Sequence, residues 1–124
     1  MKLHLSRNTT LNSVTSYGRG YVAINGVRHE RSLVVLPDRI VADWNVPDLK
    51  SLTPADICAV VALKPELVLL GTGDQLRFPD SSLLAAFAKA GIGAEIMDTA
   101  AACRTYNILA AEGRTVAAAL IISG

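Results

Sequence analysis

At 124 residues, the chain is long enough to bury one substantial core without disulfides or metals. Apolar residues make up 51% and charged residues 19%, yet no run of about 18 apolar residues occurs, which excludes a transmembrane helix. A formal net charge of +1, the lack of any basic block and an aromatic content of 5% argue against a nucleic-acid surface.

The apolar excess lies in short Ala, Val, Leu and Ile runs. Such runs suit a two-sided sheet or the subunit interface of a homo-oligomer. The segment Met1-Lys2-Leu3-His4-Leu5-Ser6-Arg7-Asn8 turns polar too soon for a secretory signal. Cys58 and Cys103 stand too far apart to suggest a disulfide framework. A reducing cytoplasm is the simplest compartment, and a mature organelle protein would carry the same composition.

The first third reads as β. Val14 to Tyr17 and Gly20 to Asn25 are rich in β-branched and aromatic residues, and Gly18-Arg19-Gly20 separates them. Asn25-Gly26 predicts a type I′ hairpin. It joins Tyr21–Ile24 to a long second arm, Val27 to Leu36, which alternates at first and ends continuously apolar. Pro37-Asp38 turns the chain into a further strand, Arg39 to Trp44, completing an antiparallel meander.

Asn45 to Leu52 is a connector broken by Pro47. Thr53-Pro54-Ala55-Asp56 then predicts a helix start, with a capping hydroxyl, a proline at the first helical position and an acid at the positive dipole end. That helix runs from Pro54 to Leu63 and stops near Pro65. The wholly apolar stretch Leu67-Val68-Leu69-Leu70, inside a strand from Glu66 to Leu70, reads as the central strand, buried on both faces.

Gly71 to Pro79 is a loop. Asp80 or Ser81 caps a helix through Lys89, with Leu83, Leu84, Phe87 and Ala88 on its apolar face and Gly91 past its end. Gly93 to Met97 is a strand, and Asp98-Thr99 caps a helix from Ala100 to Ala111 on which Ala102, Tyr106 and Leu109 share a face. Glu112-Gly113-Arg114 turns into a last apolar strand, Thr115 to Ile122. The alternation in this half predicts parallel pairing with right-handed crossovers, although the short last turn leaves an antiparallel neighbour open. The expectation is one α/β domain over residues 1–124, a β-meander attached to or continuous with a three-layer core.

Ligands of open α/β sheets bind beyond the carboxyl ends of the strands. There Gly71-Thr72-Gly73 would meet Asp98-Thr99, forming a pocket for a small anionic ligand held by helix-start amides, by hydroxyls and by Arg77 or Arg104. The same residues also read as a tight turn and two ordinary caps. The dinucleotide fingerprint fails, because Leu76 stands at its third glycine position. Cys103, early in its helix, is either a thiol acidified by the dipole or a small buried apolar residue. His4, His29, Cys58 and Cys103 make no zinc motif. In the structural reading Trp44 is a packing anchor, Tyr106 a core residue with a satisfied hydroxyl, Asn107 a bond to a neighbouring loop and Arg114 a partner for the last helical carbonyls. No catalytic set, metal site or cofactor is expected.

Tyr17-Gly18-Arg19-Gly20, Asn25-Gly26, Ser32, Trp44, Leu70-Gly71-Thr72-Gly73, Thr105-Tyr106-Asn107 and Glu112-Gly113-Arg114 resemble the small uncharacterised bacterial and archaeal proteins of the complex I assembly factor 3 family. Eukaryotic relatives in that family include a mitochondrial NADH:ubiquinone oxidoreductase assembly factor and a cytosolic protein linked to adipogenesis. The resemblance implies a three-layer α/β fold with a central mixed, mostly parallel sheet flanked by helices and an added antiparallel N-terminal β layer. It implies a protein partner in respiratory-complex assembly, and it implies no catalytic residues. From these readings comes the expectation of a non-enzymatic binding or assembly module. The alternative is a small-molecule binder or enzyme using the crevice between Gly71-Thr72-Gly73 and Thr99.

Overall fold

The computed structural model describes residues 11–123. His4 and the expected non-secretory N-terminal segment lie outside them. The described residues fold as α/β with two sheets. The smaller is antiparallel, in the order β1 (Val14–Gly18), β2 (Tyr21–Ile24), β3 (Val27–His29). The larger contains β4 (Leu33–Leu36), β5 (Arg39–Val41), β6 (Leu67–Gly71), β7 (Gly93–Met97) and β8 (Val116–Leu120), in the order β5-β4-β8-β6-β7. Among the described residues, three α-helices join its strands: α1 (Pro54–Val61), α2 (Ser81–Lys89) and α3 (Thr99–Ala111).

Asn25 and Gly26 both have positive φ, 53° and 82°, as a type I′ turn requires, and Ile24 pairs with Val27 across it. The long second arm is not one strand. It breaks at Glu30-Arg31-Ser32, so that β3 stays in the small sheet while β4 joins the large one. Only the large sheet can cover both faces of the continuously apolar Leu33–Leu36, all four of which are buried. Ser32 fixes the crossing point: its buried hydroxyl donates to the Val46 carbonyl and accepts the Ile122 amide. The expected strand to Trp44 stops at Val41. Trp44 turns into the core, where its indole N–H donates to the Asp56 carbonyl at 3.2 Å.

Thr53 and Asp56 form a reciprocal capping box on α1, which ends at Val61, two residues before the expected limit. On α2, Phe87 is buried and Leu83, Leu84 and Ala86 are half-buried, whereas Ala88 faces solvent. On α3 the buried stripe is Ala102, Cys103, Tyr106 and Ala110, with Leu109 at its margin.

The middle position belongs to β8 rather than β6. It lies parallel to β6 and antiparallel to β4, so both alternatives for the last turn are realised, one on each side. Its Val-Ala-Ala-Ala-Leu sequence is buried throughout, and the small side chains let covering layers approach from both faces. β6 lies between β8 and the edge strand β7 and is also buried along most of its length.

The chain steps outward from β6 to β7 and then back past β6 to β8. Under the right-handed crossover rule this reversal sends α2 and α3 to opposite faces. The two cores match that arrangement. Val34, Leu70, Ala119 and Ile121 pack with Phe87 of α2, Ile57 of α1 and Trp44. Leu69, Ala118 and Leu120 pack with Tyr106 of α3 and with Val14, Val22 and Ile24 of the small sheet.

Candidate functional site

Gly71-Thr72-Gly73 at the end of β6 does meet Thr99 at the start of α3. The approach is close: a Cβ on Gly71 would lie 3.0 Å from both Thr99 Cα and Oγ1. The Thr99 amide donates to the Gly73 carbonyl and the Gly73 amide donates back to Thr99 Oγ1, each at 2.9 Å. Thr99 Oγ1 then donates to the Ile121 carbonyl at 2.8 Å. One hydroxyl thereby ties α3 to the ends of β6 and β8.

The other expected ligand groups are similarly engaged. Buried Thr72 donates through Oγ1 to the Gln75 carbonyl at 2.7 Å and accepts the Arg77 amide at 3.2 Å. Asp98 accepts the Ala101 amide at 2.8 Å, as a helix cap does. Gly71, Thr72, Gly73, Asp98 and Thr99 therefore converge as a hydrogen-bonded seam. Arg104 points elsewhere: its guanidinium donates to the Tyr17 hydroxyl at 3.0 Å and lies 6.0 Å from that ring. Arg77 donates to Gln75 Oε1 at 2.9 Å.

A cavity of about 320 Å³ opens beside the seam. Tyr17, Arg19 and Tyr21 of the β1–β2 hairpin line one side, and Asp74, Ala100 and Ile122 line the rest. A second cavity of about 500 Å³ shares Arg19, Gly73, Asp74 and Ser123 with the first and extends to Asp48, Lys50 and Arg77. The two make one crevice, crossed by an ion pair between Arg19 Nε and Asp74 Oδ2 at 3.4 Å. Both side chains are largely exposed, so the pair is weak and screened by salt. The hairpin wall was not anticipated from the sequence. Its only signal is an arginine at the tip of a glycine-bounded turn between two tyrosines.

Cys103 is buried, and burial pushes its thiol up to about 12, outweighing the lowering influence of the Arg104 charge. Cys58 is exposed on α1. Among the described residues, no group of three or more His, Cys, Asp or Glu is placed to hold a metal ion.

Tyr106 and Asn107 act on the small sheet. The Tyr106 hydroxyl donates to the Asn12 carbonyl at 2.9 Å. Asn107 grips β1 itself rather than a loop, accepting the Val14 amide and donating to the Val14 carbonyl, both at 2.8 Å. The backbone amide of Arg114 satisfies the Leu109 carbonyl at 3.0 Å, while its side chain pairs with Glu66 at 3.2 Å. The Thr115 amide and Arg114 together hold the Glu66 carboxyl below its ordinary range.

The chain is similar to human NADH dehydrogenase (ubiquinone) 1 alpha subcomplex assembly factor 3, with 37% identity over 110 residues. That match covers 87% of this chain and 59% of the human protein, so the chain spans well under two thirds of that relative's length. A crystal structure of a protein from Bordetella parapertussis superposes with a TM-score of 0.86 at 39% identity, covering 92% of this chain and 98% of that one. A crystal structure described as an outer membrane protein from Bartonella henselae superposes with a TM-score of 0.81 at 29% identity, covering 92% and 97%. In the present chain, among the described residues, no helix is long and apolar enough to cross a membrane. A model of the family described as protein of unknown function DUF498/DUF598 matches residues 14–121, and the chain belongs to that family.

Proposed function

We propose that the protein is a non-enzymatic binding module that acts in the assembly of a respiratory NADH dehydrogenase. The observation carrying this reading is the 37% identity to assembly factor 3 across most of the chain. The state of the chemistry-bearing side chains supports it. The hydroxyls of Thr72 and Thr99 are tied up internally, and Cys103 is a buried protonated thiol. Affinity capture of the tagged full chain from native lysate is expected to retain NADH dehydrogenase subunits. Recovery of the protein alone, from both membrane and soluble fractions, would overturn the reading.

A second reading is favoured by the crevice. In this reading the crevice holds a small anionic ligand beside the Gly71-Thr72-Gly73 seam and the helix start at Asp98-Thr99, with Arg104 behind Tyr17. A thermal-shift screen of nucleotides, phosphates and acyl carriers is expected to find a stabilising compound. A screen in which nothing raises the melting temperature refutes this reading.

A further inference from the structure

The seam itself has little left to offer a ligand. Gly73 N–H, both capacities of the Thr99 hydroxyl and the Thr72 hydroxyl all have partners within the chain. The Thr99 and Ala101 amides of α3 are engaged by Gly73 and Asp98. Besides the Ala100 amide, recognition in this crevice falls to the opposite wall.

That wall carries suitable donors. Tyr17 lines the cavity, and its phenolic oxygen already accepts from Arg104. Among the described residues, the proton of that phenol has no acceptor. Arg19 stands at the hairpin tip with a fork of N–H donors, engaged among the described residues only by Asp74 at 3.4 Å. The charges facing the joined crevice are Arg19, Lys50 and Arg77 against Asp48 and Asp74, with Arg104 behind Tyr17. Half-buried Ala100 and the small exposed part of Ile122 offer apolar surface beside them.

Resting on the second reading of the site, we propose that the crevice binds the carboxylate or phosphate of a small organic anion through the Arg19 guanidinium and the Tyr17 hydroxyl. The apolar part of the ligand lies over Ala100 and Ile122. Asp74 serves as the resident anion: it holds Arg19 when the crevice is empty and competes with the ligand for it. A guanidinium binds planar or tetrahedral oxyanions in a forked geometry, and a phenol adds a directed O–H. Loss of a carboxylate from the wall should improve binding.

The test is an amide-shift NMR titration of the full chain with inorganic phosphate, benzoate and phenyl phosphate. Parallel titrations use Arg19→Gln, Tyr17→Phe and Asp74→Asn. These side chains are at least partly exposed, and spectra away from the crevice report whether each variant keeps its fold. Benzoate and phenyl phosphate separate the carboxylate from the phosphate preference, and inorganic phosphate reads the contribution of the apolar part. With the preferred probe, shifts are expected at Gly18–Tyr21, Gly73–Asp74 and Ala100. Arg19→Gln should raise Kd about tenfold and Tyr17→Phe about threefold, while Asp74→Asn should lower it about threefold, the sizes expected of charged hydrogen bonds at a wet site. Shifts at the crevice with Kd unchanged in Arg19→Gln and Asp74→Asn would overturn the inference but leave the second reading standing. No shifts at the crevice with any probe would overturn both.

Discussion

Gly71 marks the closest approach of the large sheet to α3. Because an added methyl would meet the Thr99 backbone at 3.0 Å, it could be accommodated only by moving the helix. Gly71→Ala is expected to lower stability by about 1–3 kcal/mol, the usual cost of overpacking, as measured by urea denaturation. Cys103 is the other informative residue. Its position early in a helix suggests an acidic thiol, but burial against Ala102, Tyr106 and the sheet prevails. At neutral pH, iodoacetamide should label exposed Cys58 readily and leave Cys103 untouched until the protein is denatured, as read by peptide mass spectrometry. Rapid native labelling of Cys103 would contradict the burial described. The sequence left the acidified and the buried apolar reading of Cys103 both open, because the deciding quantity is what packs over the helix.

At the scale of elements, the small sheet is tied to α3 by a few side chains, and Asn107 makes two of the bonds. β1 is attached to α3 by the paired hydrogen bonds of Asn107 to Val14 and by Tyr106 to Asn12. Asn107→Ala would leave both backbone groups of Val14 without partners in a part-buried position. It should cost about 2–4 kcal/mol, with hydrogen exchange rising first in β1 and β2. Uniform exchange across all strands would mean that the small sheet is not separately anchored. At the other end of the fold, Thr53 closes the capping box of α1 with Asp56. Thr53→Ala is expected to destabilise by about 1 kcal/mol in thermal denaturation, without changing the spectrum of the small sheet. This cap was legible from four consecutive residues. The Asn107 clamp was not, since its partner lies 93 positions away.

Across the whole molecule, α3 carries two buried ionisable groups whose protonated forms the fold favours. Burial raises the Cys103 thiol from 9.0 to about 12 and moves the Tyr106 phenol upward as well. In the folded state both keep protons that the unfolded chain would release. Their contribution to stability is therefore complete below the ordinary thiol value of 9.0 and is lost as pH rises towards 12. The urea midpoint should hold steady up to about pH 8.5 and fall beyond it, and Cys103→Ala should make that fall shallower. A midpoint independent of alkaline pH would show that these groups are not buried as described.

Hydropathy period, turn chemistry and caps by themselves determined most element types, the Asn25-Gly26 turn and the three helix starts. These are local properties, carried by residues a few positions apart. The tertiary structure alone decided that the second hairpin arm divides between two sheets and that β8 takes the middle of the larger one. It also turned the expected ligand hydroxyls inward as a seam and set Tyr17 and Arg19 against the crevice. Each of those outcomes depends on which distant surfaces cover one another, and backbone periodicity does not encode that pairing.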